Sequence, residues 1–155
     1  MSDSHRALLV SICLLSTLSF SMPLYADDAD DVMATLQEWA SLENDLEAQA
    51  ALIRDDRVQI FRMDRQSDQA ANLKNQIAIE KARRNMDPDG FYLVTIESPE
   101  VRVYGNTAVA SFIRRFAVVP GNTAPSGPPQ LTMCTAVLVK ERGDWKIAHL
   151  HVSPG

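Results

Sequence analysis

The chain has 155 residues, of which 15 are Lys or Arg and 20 are Asp or Glu, giving a formal charge of −5 at pH 7. Acidic balance without a compact basic patch leaves nothing for nucleic acid or anionic lipid to bind, so neither is an expected partner. Two cysteines, Cys13 and Cys134, are too few for a disulfide scaffold.

The first segment reads as a secretory leader. A short n-region containing Arg6 precedes the apolar run Ala7 to Phe20, and a turn-prone stretch ends in the small residue Ala26 before Asp27-Asp28. The run is 14 residues long, whereas a membrane span takes about 20 apolar residues, so no stable insertion is expected after cleavage. Residues 1–26 are thus assigned as signal peptide and 27–155 as one domain, placed in the periplasm or secreted. Cleavage removes Cys13, so Cys134 stands alone in an apolar run and reads as a buried, inert thiol.

From Asp30 to about Ile53, Val32, Leu36, Trp39, Leu46, Ala50 and Ile53 form a helical stripe. Asn44-Asp45 either lies within this helix or caps a second one from Leu46. In an unbroken helix Glu43 would fall on the apolar stripe. Asp55-Asp56 closes the unit, and Val58 to Met63 is a strand or an irregular connection. Ser67-Asp68 caps a helix over Gln69 to Asn85, with Ala70, Leu73, Ile77, Ile79 and Ala82 as its apolar positions. Met86 to Gly90 is turn chemistry.

Beyond Gly90 the pattern turns to β. Strands are expected at Phe91–Ile96, Val101–Tyr104, Thr107–Val119, Leu131–Glu141 and Trp145–Val152. Gly105-Asn106 and Arg142-Gly143-Asp144 serve as turns, and Gly121 to Pro129 as a loop. The class is α+β: helices first, then an antiparallel sheet that buries one face against them. Alternation puts Ala108, Ala110, Phe112 and Arg114 on one face of the long strand. It also puts Trp145, Ile147, His149, His151 and Ser153 together on the last.

The hairpin Val101-x-Val103-x-Gly105-Asn106-x-Ala108, the run Thr135 to Ile147 ending in Gly143-x-Trp145-Lys146-Ile147, and the terminal His149-x-His151-x-Ser153 resemble the nuclear transport factor 2-like superfamily. The similarity is to its SnoaL-like branch, which includes the association domain of calcium/calmodulin-dependent protein kinase II. Trp39, Asp45 and Leu52 to Asp56 fit the N-terminal part. The resemblance implies a cone: a curved antiparallel sheet wrapped around N-terminal helices, enclosing an apolar cavity. It implies that Arg114 lines that cavity, while two further cationic positions of kinase association domains are occupied here by Ala136 and Val152.

The expected function is binding of a small apolar or weakly acidic ligand by a homodimer, with Arg114, Trp39, Phe112, Tyr92 and Tyr104 as contacts. The alternatives are a lyase or isomerase acting on a ketone-like or polycyclic metabolite, or a non-catalytic assembly module. In the enzyme reading Glu43, Asp56, His149 or His151 is the proton-transfer group, and Tyr92 or Tyr104 the donor. Arg114 equally suits an ion pair with Glu43. His149 and His151 stand roughly 7 Å apart on one strand face, but no third ligand lies nearby in sequence, so neither a metal nor a cofactor is expected.

Overall fold

A computed structural model describes residues 25–121 and 127–154. The leader expected at 1–26 therefore lies outside the described residues up to Leu24, as does the middle of the loop after Gly121. No helix among the described residues is long and apolar enough to cross a membrane.

Among the described residues three helices and six strands follow in the order α1 (Tyr25–Ser41), α2 (Leu46–Ala50), β1 (Ile53–Phe61), β2 (Asp64–Gln66), α3 (Gln69–Met86), β3 (Phe91–Tyr104), β4 (Thr107–Val119), β5 (Gln130–Glu141) and β6 (Asp144–Pro154). The strands form one curved, unclosed sheet in the order β2-β1-β6-β5-β4-β3. Helix α1 lays Val32, Leu36, Trp39 and Ala40 into the core. The sheet meets it with Ala108, Ala110, Phe112, Cys134, Ala136 and Leu138, all buried. Ala110 faces Ala136 across the β4–β5 ladder. Small side chains at the sheet centre leave depth for the large ones of α1.

Most of the α+β expectation holds, with corrections. The helical stripe breaks after Ser41, and Asp45 caps α2 by accepting a hydrogen bond from the Ala48 N–H at 3.1 Å. The break is fixed by Asn44, whose amide accepts from the Tyr92 N–H (2.8 Å) and donates to the Tyr92 carbonyl (2.7 Å). Ile53 and Asp55-Asp56 belong to β1, not to a helix end. That strand runs parallel to β6, so the sheet is mixed rather than wholly antiparallel. The two strands expected at Phe91–Ile96 and Val101–Tyr104 are one strand, β3, continuous across a bulge between Glu97 and Glu100. Both tight turns match: Gly105 has φ 62°, and Arg142 and Gly143 have φ 54° and 103°, suited to two-residue hairpin loops.

The largest departures concern which faces point inward. Opposite Val137 and Leu138 of β5, β6 carries His149 and Ile147, so Ala148 is an extra, bulged residue. A bulge reverses alternation beyond it. Trp145 and Ile147 are buried as expected, but Leu150 and Val152 then take the inner face. His149 and His151 move to the outer one. Helix α3 is also turned: Gln69, Asn72 and Glu80 are buried, while Ala70 and Ala82 are exposed. With the partly buried Gln76 between them, Gln69, Asn72 and Glu80 follow a spacing of three, four and four residues, a polar inward face on a helix read for its apolar one.

Glu80 anchors that face. It accepts from Arg83 at 2.6 and 2.9 Å and from Arg84 at 2.8 Å. Arg83 goes on to the Gly90 carbonyl (2.7 Å) and Arg84 to the Asn44 carbonyl (2.6 Å), tying α3 to β3 and to the α1–α2 turn. The bonds from Arg83, and secondarily from Arg84, hold the Glu80 carboxyl below the usual carboxylate range against the opposing effect of burial. A carboxyl with a lowered folded pKa contributes stability that is complete above the unfolded value and lost as pH falls through the folded one. Glu80→Gln should therefore lower unfolding free energy in urea at pH 7 by about 1–3 kcal/mol. The gap from wild type should narrow below about pH 4; a pH-independent difference would contradict this role.

Candidate functional site

Between the sheet and α3 lies a cavity of about 280 Å³. Strand β1 contributes Ile53, Arg57, Gln59 and Phe61, β6 contributes Leu150 and Val152, and Trp39 comes from α1. Glu43 and Gln49 enter from the α1–α2 turn and α2, Arg114 from β4, and Asn72, Asn75, Gln76 and Ile79 from α3. A neighbouring hollow of about 470 Å³ shares Phe61 and Arg114 and adds Phe116 and Thr132, so Arg114 stands where the two meet. A wider groove of about 600 Å³ between α2 and α3 lies outside the cone.

The cavity is mixed: Trp39, Ile53, Phe61, Leu150 and Val152 give it an apolar floor, while α3 contributes Asn and Gln residues and β1 adds Arg57 and Gln59.

One end is organised by Arg114. Its guanidinium bonds to Glu43 Oε1 at 2.9 Å and lies 4.8 Å from the Phe116 ring centroid and 5.9 Å from that of Trp39. Glu43 Oε2 accepts from the Gln49 amide at 3.2 Å, and the same amide donates to the Trp39 carbonyl at 2.8 Å. The chain Trp39–Gln49–Glu43–Arg114 thus locks a half-buried ion pair in place. Glu43 reaches the interior through the turn after α1, not by riding an unbroken helix.

Arg57 is the other cation. Only 4% exposed, it donates from Nη1 to the Gln59 side chain, and its Nε is buried without a partner. Among the described residues no carboxylate pairs with it. Burial pulls its guanidinium below the ordinary arginine value, the direction expected when a charge loses water and gains no counterion.

The remaining sequence candidates lie elsewhere. Phe112 is 1% exposed within the core and does not line the cavity. Tyr104 is 67% exposed at the tip of the β3–β4 hairpin. Tyr92 stacks against Phe116 at 5.0 Å and lies beneath Arg83, where burial raises its hydroxyl pKa. Asp56 is exposed and held by Arg54 at 2.7 Å on the outer side of β1. His149 and His151 face outward because of the Ala148 bulge, and His151 meets Ser153 at 3.3 Å. Cys134 is buried, its thiol pushed up chiefly by desolvation. The cavity thus brings together Trp39, Glu43 and Arg114. Sequence reasoning missed Arg57, Gln49, Gln59 and the α3 amides. The spacing of Gln69, Asn72 and Gln76 was the available signal for the last group.

Glu43 is the single carboxylate lining the cavity among the described residues, and each of its oxygens already accepts a hydrogen bond. A free general base and a second acid are both missing from this wall.

An open curved sheet clasping α1, with a cavity between its inner face and α3, defines a cone of the cystatin-like, nuclear transport factor 2-like class. Residues 31–155 match the model of the SnoaL-like domain, and the chain belongs to that family. The chain is similar to the β subunit of benzoate 1,2-dioxygenase from Burkholderia mallei (TM-score 0.69, 16% identity, covering 81% of this chain and 89% of that one). It is also similar to the CamKII hub homology domain from Chlamydomonas reinhardtii (TM-score 0.65, 24% identity, 83% and 98% covered). A third relative is a cystatin-fold protein from Novosphingobium aromaticivorans (TM-score 0.67, 14% identity, 83% and 82% covered). At these identities the likeness is one of fold. No curated protein matches the sequence.

Glu43→Gln and Arg114→Met should each destabilise the fold. In a double-mutant cycle the pair should cost less than the sum of the singles, by about 1–2 kcal/mol. Strict additivity would show that the pair is not coupled.

Proposed function

We propose that this SnoaL-like protein is exported and works as a homodimer whose cone binds a small polar molecule without transforming it. The observation that carries the reading is the cavity wall. Trp39, Arg57, Gln59, Arg114, Asn72 and Gln76 converge on about 280 Å³, just below the volume of typical drug-sized sites. Ligand sites of this kind combine an apolar floor with a few placed polar groups. The expected apolar ligand suits this wall poorly, because it would bury amides and guanidiniums unpaired.

Export rests on the order of charged, apolar and small residues in Met1 to Ala26. Dimer formation is supported by the outer sheet face, where Leu131 and Met133 are 48% and 55% exposed. The hub homology domain found among the structural neighbours is consistent with assembly through such a fold. The lyase or isomerase reading retains one specific support, Glu43 inside the cavity, and would require it to leave Arg114 during turnover.

Native mass spectrometry of the protein recovered from the periplasm or medium should show a chain beginning near Asp27, a dimer, and added mass that disappears on denaturation. Met133→Glu should shift the dimer to monomer without lowering the melting temperature by more than about 4 °C. A full-length precursor in the cytoplasm would contradict export, and a monomeric wild type would contradict assembly. A ligand-free protein that binds nothing in solution would contradict the receptor reading.

A further inference from the structure

Arg57 has no evident structural job. It sits beside two aspartates in sequence, yet neither reaches it: Asp56 is taken by Arg54 on the outer side of the strand, and Asp55 is exposed. Ile53, Arg57, Gln59 and Phe61 take alternate positions of β1 and all line the cavity, whereas Asp56 falls between them. Asp55 has the inward parity but is exposed where the pairing of β1 with β6 lapses, since Ile53 pairs with Ile147 and Val58 with His149, so five steps of β1 match two of β6.

The charges facing the cavity are then Arg57, Arg114 and Glu43. Glu43 is consumed by Arg114 at 2.9 Å, which leaves one positive charge without a counterion. An unpaired buried guanidinium is costly, and cores that tolerate one usually supply an anion. Arg57 also retains its planar donor edge: Nη1 reaches Gln59, while Nε has no acceptor among the described residues.

We propose that the molecule held in the cone is a small organic monocarboxylate, its carboxylate seated on Arg57 and its hydroxyl or other polar groups met by the surrounding amides. The proposal rests on the reading that the cone binds a small molecule, and it names the chemical class. A planar carboxylate matches the geometry of a guanidinium fork. A dianion fits less well, because the single uncompensated cation cannot neutralise it and Glu43 lines the same wall. Gln59, Gln66, Asn72 and Gln76 supply donors and acceptors that a plain fatty acid would leave unused.

The test is calorimetric titration of the mature protein with lactate, glycerate and 3-hydroxybutanoate, each against its neutral primary amide. At least one carboxylate should bind at least about tenfold tighter than its amide. Arg57→Met should erase that preference, and Arg57→Lys should keep part of it. Without ligand, Arg57→Met should melt about 3 °C or more above wild type, since it removes a buried charge that nothing balances.

Amides binding as well as their acids would overturn the proposal while leaving the receptor reading intact. So would an Arg57→Met protein that keeps the preference. Binding of neither series would overturn both. Failure of Arg57→Met to fold, or a lower melting temperature, would give Arg57 a structural role and overturn the proposal as well.

Discussion

Two irregularities face each other where β1 runs beside β6, and the interior of the cone depends on them. Side chains on a strand alternate, so one inserted residue moves everything beyond it to the opposite face. The Ala148 bulge in β6 sends Leu150 and Val152 inward and His149 and His151 outward. On β1, Arg57 shares the inward parity of Ile53, Gln59 and Phe61, and where pairing lapses between Ile53 and Val58 the carboxylate of the same parity, Asp55, is exposed. Without the Ala148 bulge the wall would carry two histidines in place of Leu150 and Val152. The chemistry of the cavity is therefore set by backbone register before any side chain is chosen.

The charges inside follow a simple asymmetry. Glu43 and Arg114 satisfy each other, braced by Gln49, which hydrogen-bonds the Trp39 carbonyl as well. Arg57 is balanced by no carboxylate among the described residues, and an amide is its neighbour. Elsewhere the protein pairs its buried charge thoroughly, as Glu80 with Arg83 and Arg84 shows. A fold that satisfies one buried ionic cluster and leaves one guanidinium open is locally inconsistent. Such inconsistencies concentrate at functional sites.

Much of the fold was legible because its signals are local. Asp68 accepts from the Ala71 N–H at 2.9 Å as the capping reading requires, and the long strands, the hairpin turns and the alternation of Ala108 to Arg114 follow from pattern alone. Family motifs in the β3–β6 region pointed to the cone, and the SnoaL-like match confirms it. What failed depends on non-local register. Nothing in His149-Leu150-His151 announces that Ala148 is skipped in pairing, and Asp55-Asp56, read as the close of a helical unit, lies within β1 once β6 is placed beside it. The inward face of α3 failed differently: apolar residues were assumed to mark the core, but this helix covers a cavity to which it presents Asn72, Asn75 and Gln76. Glu43 was singled out on the premise of an unbroken helix and reached the cavity through a turn instead.

Membership of the SnoaL-like family gives the cone and leaves its contents to each sequence. In this chain the contents are one closed ion pair, a wall of amides and an interior cation, a combination suited to holding an anion. Bromide, a monoanion visible by anomalous scattering, tests that electrostatic statement most directly. In crystals of the protein soaked in bromide, the account predicts an anomalous peak inside the cavity against the Arg57 guanidinium, lost in Arg57→Met. Bromide confined to the outer surface, or Arg57 paired with a carboxylate of its own chain, would contradict it.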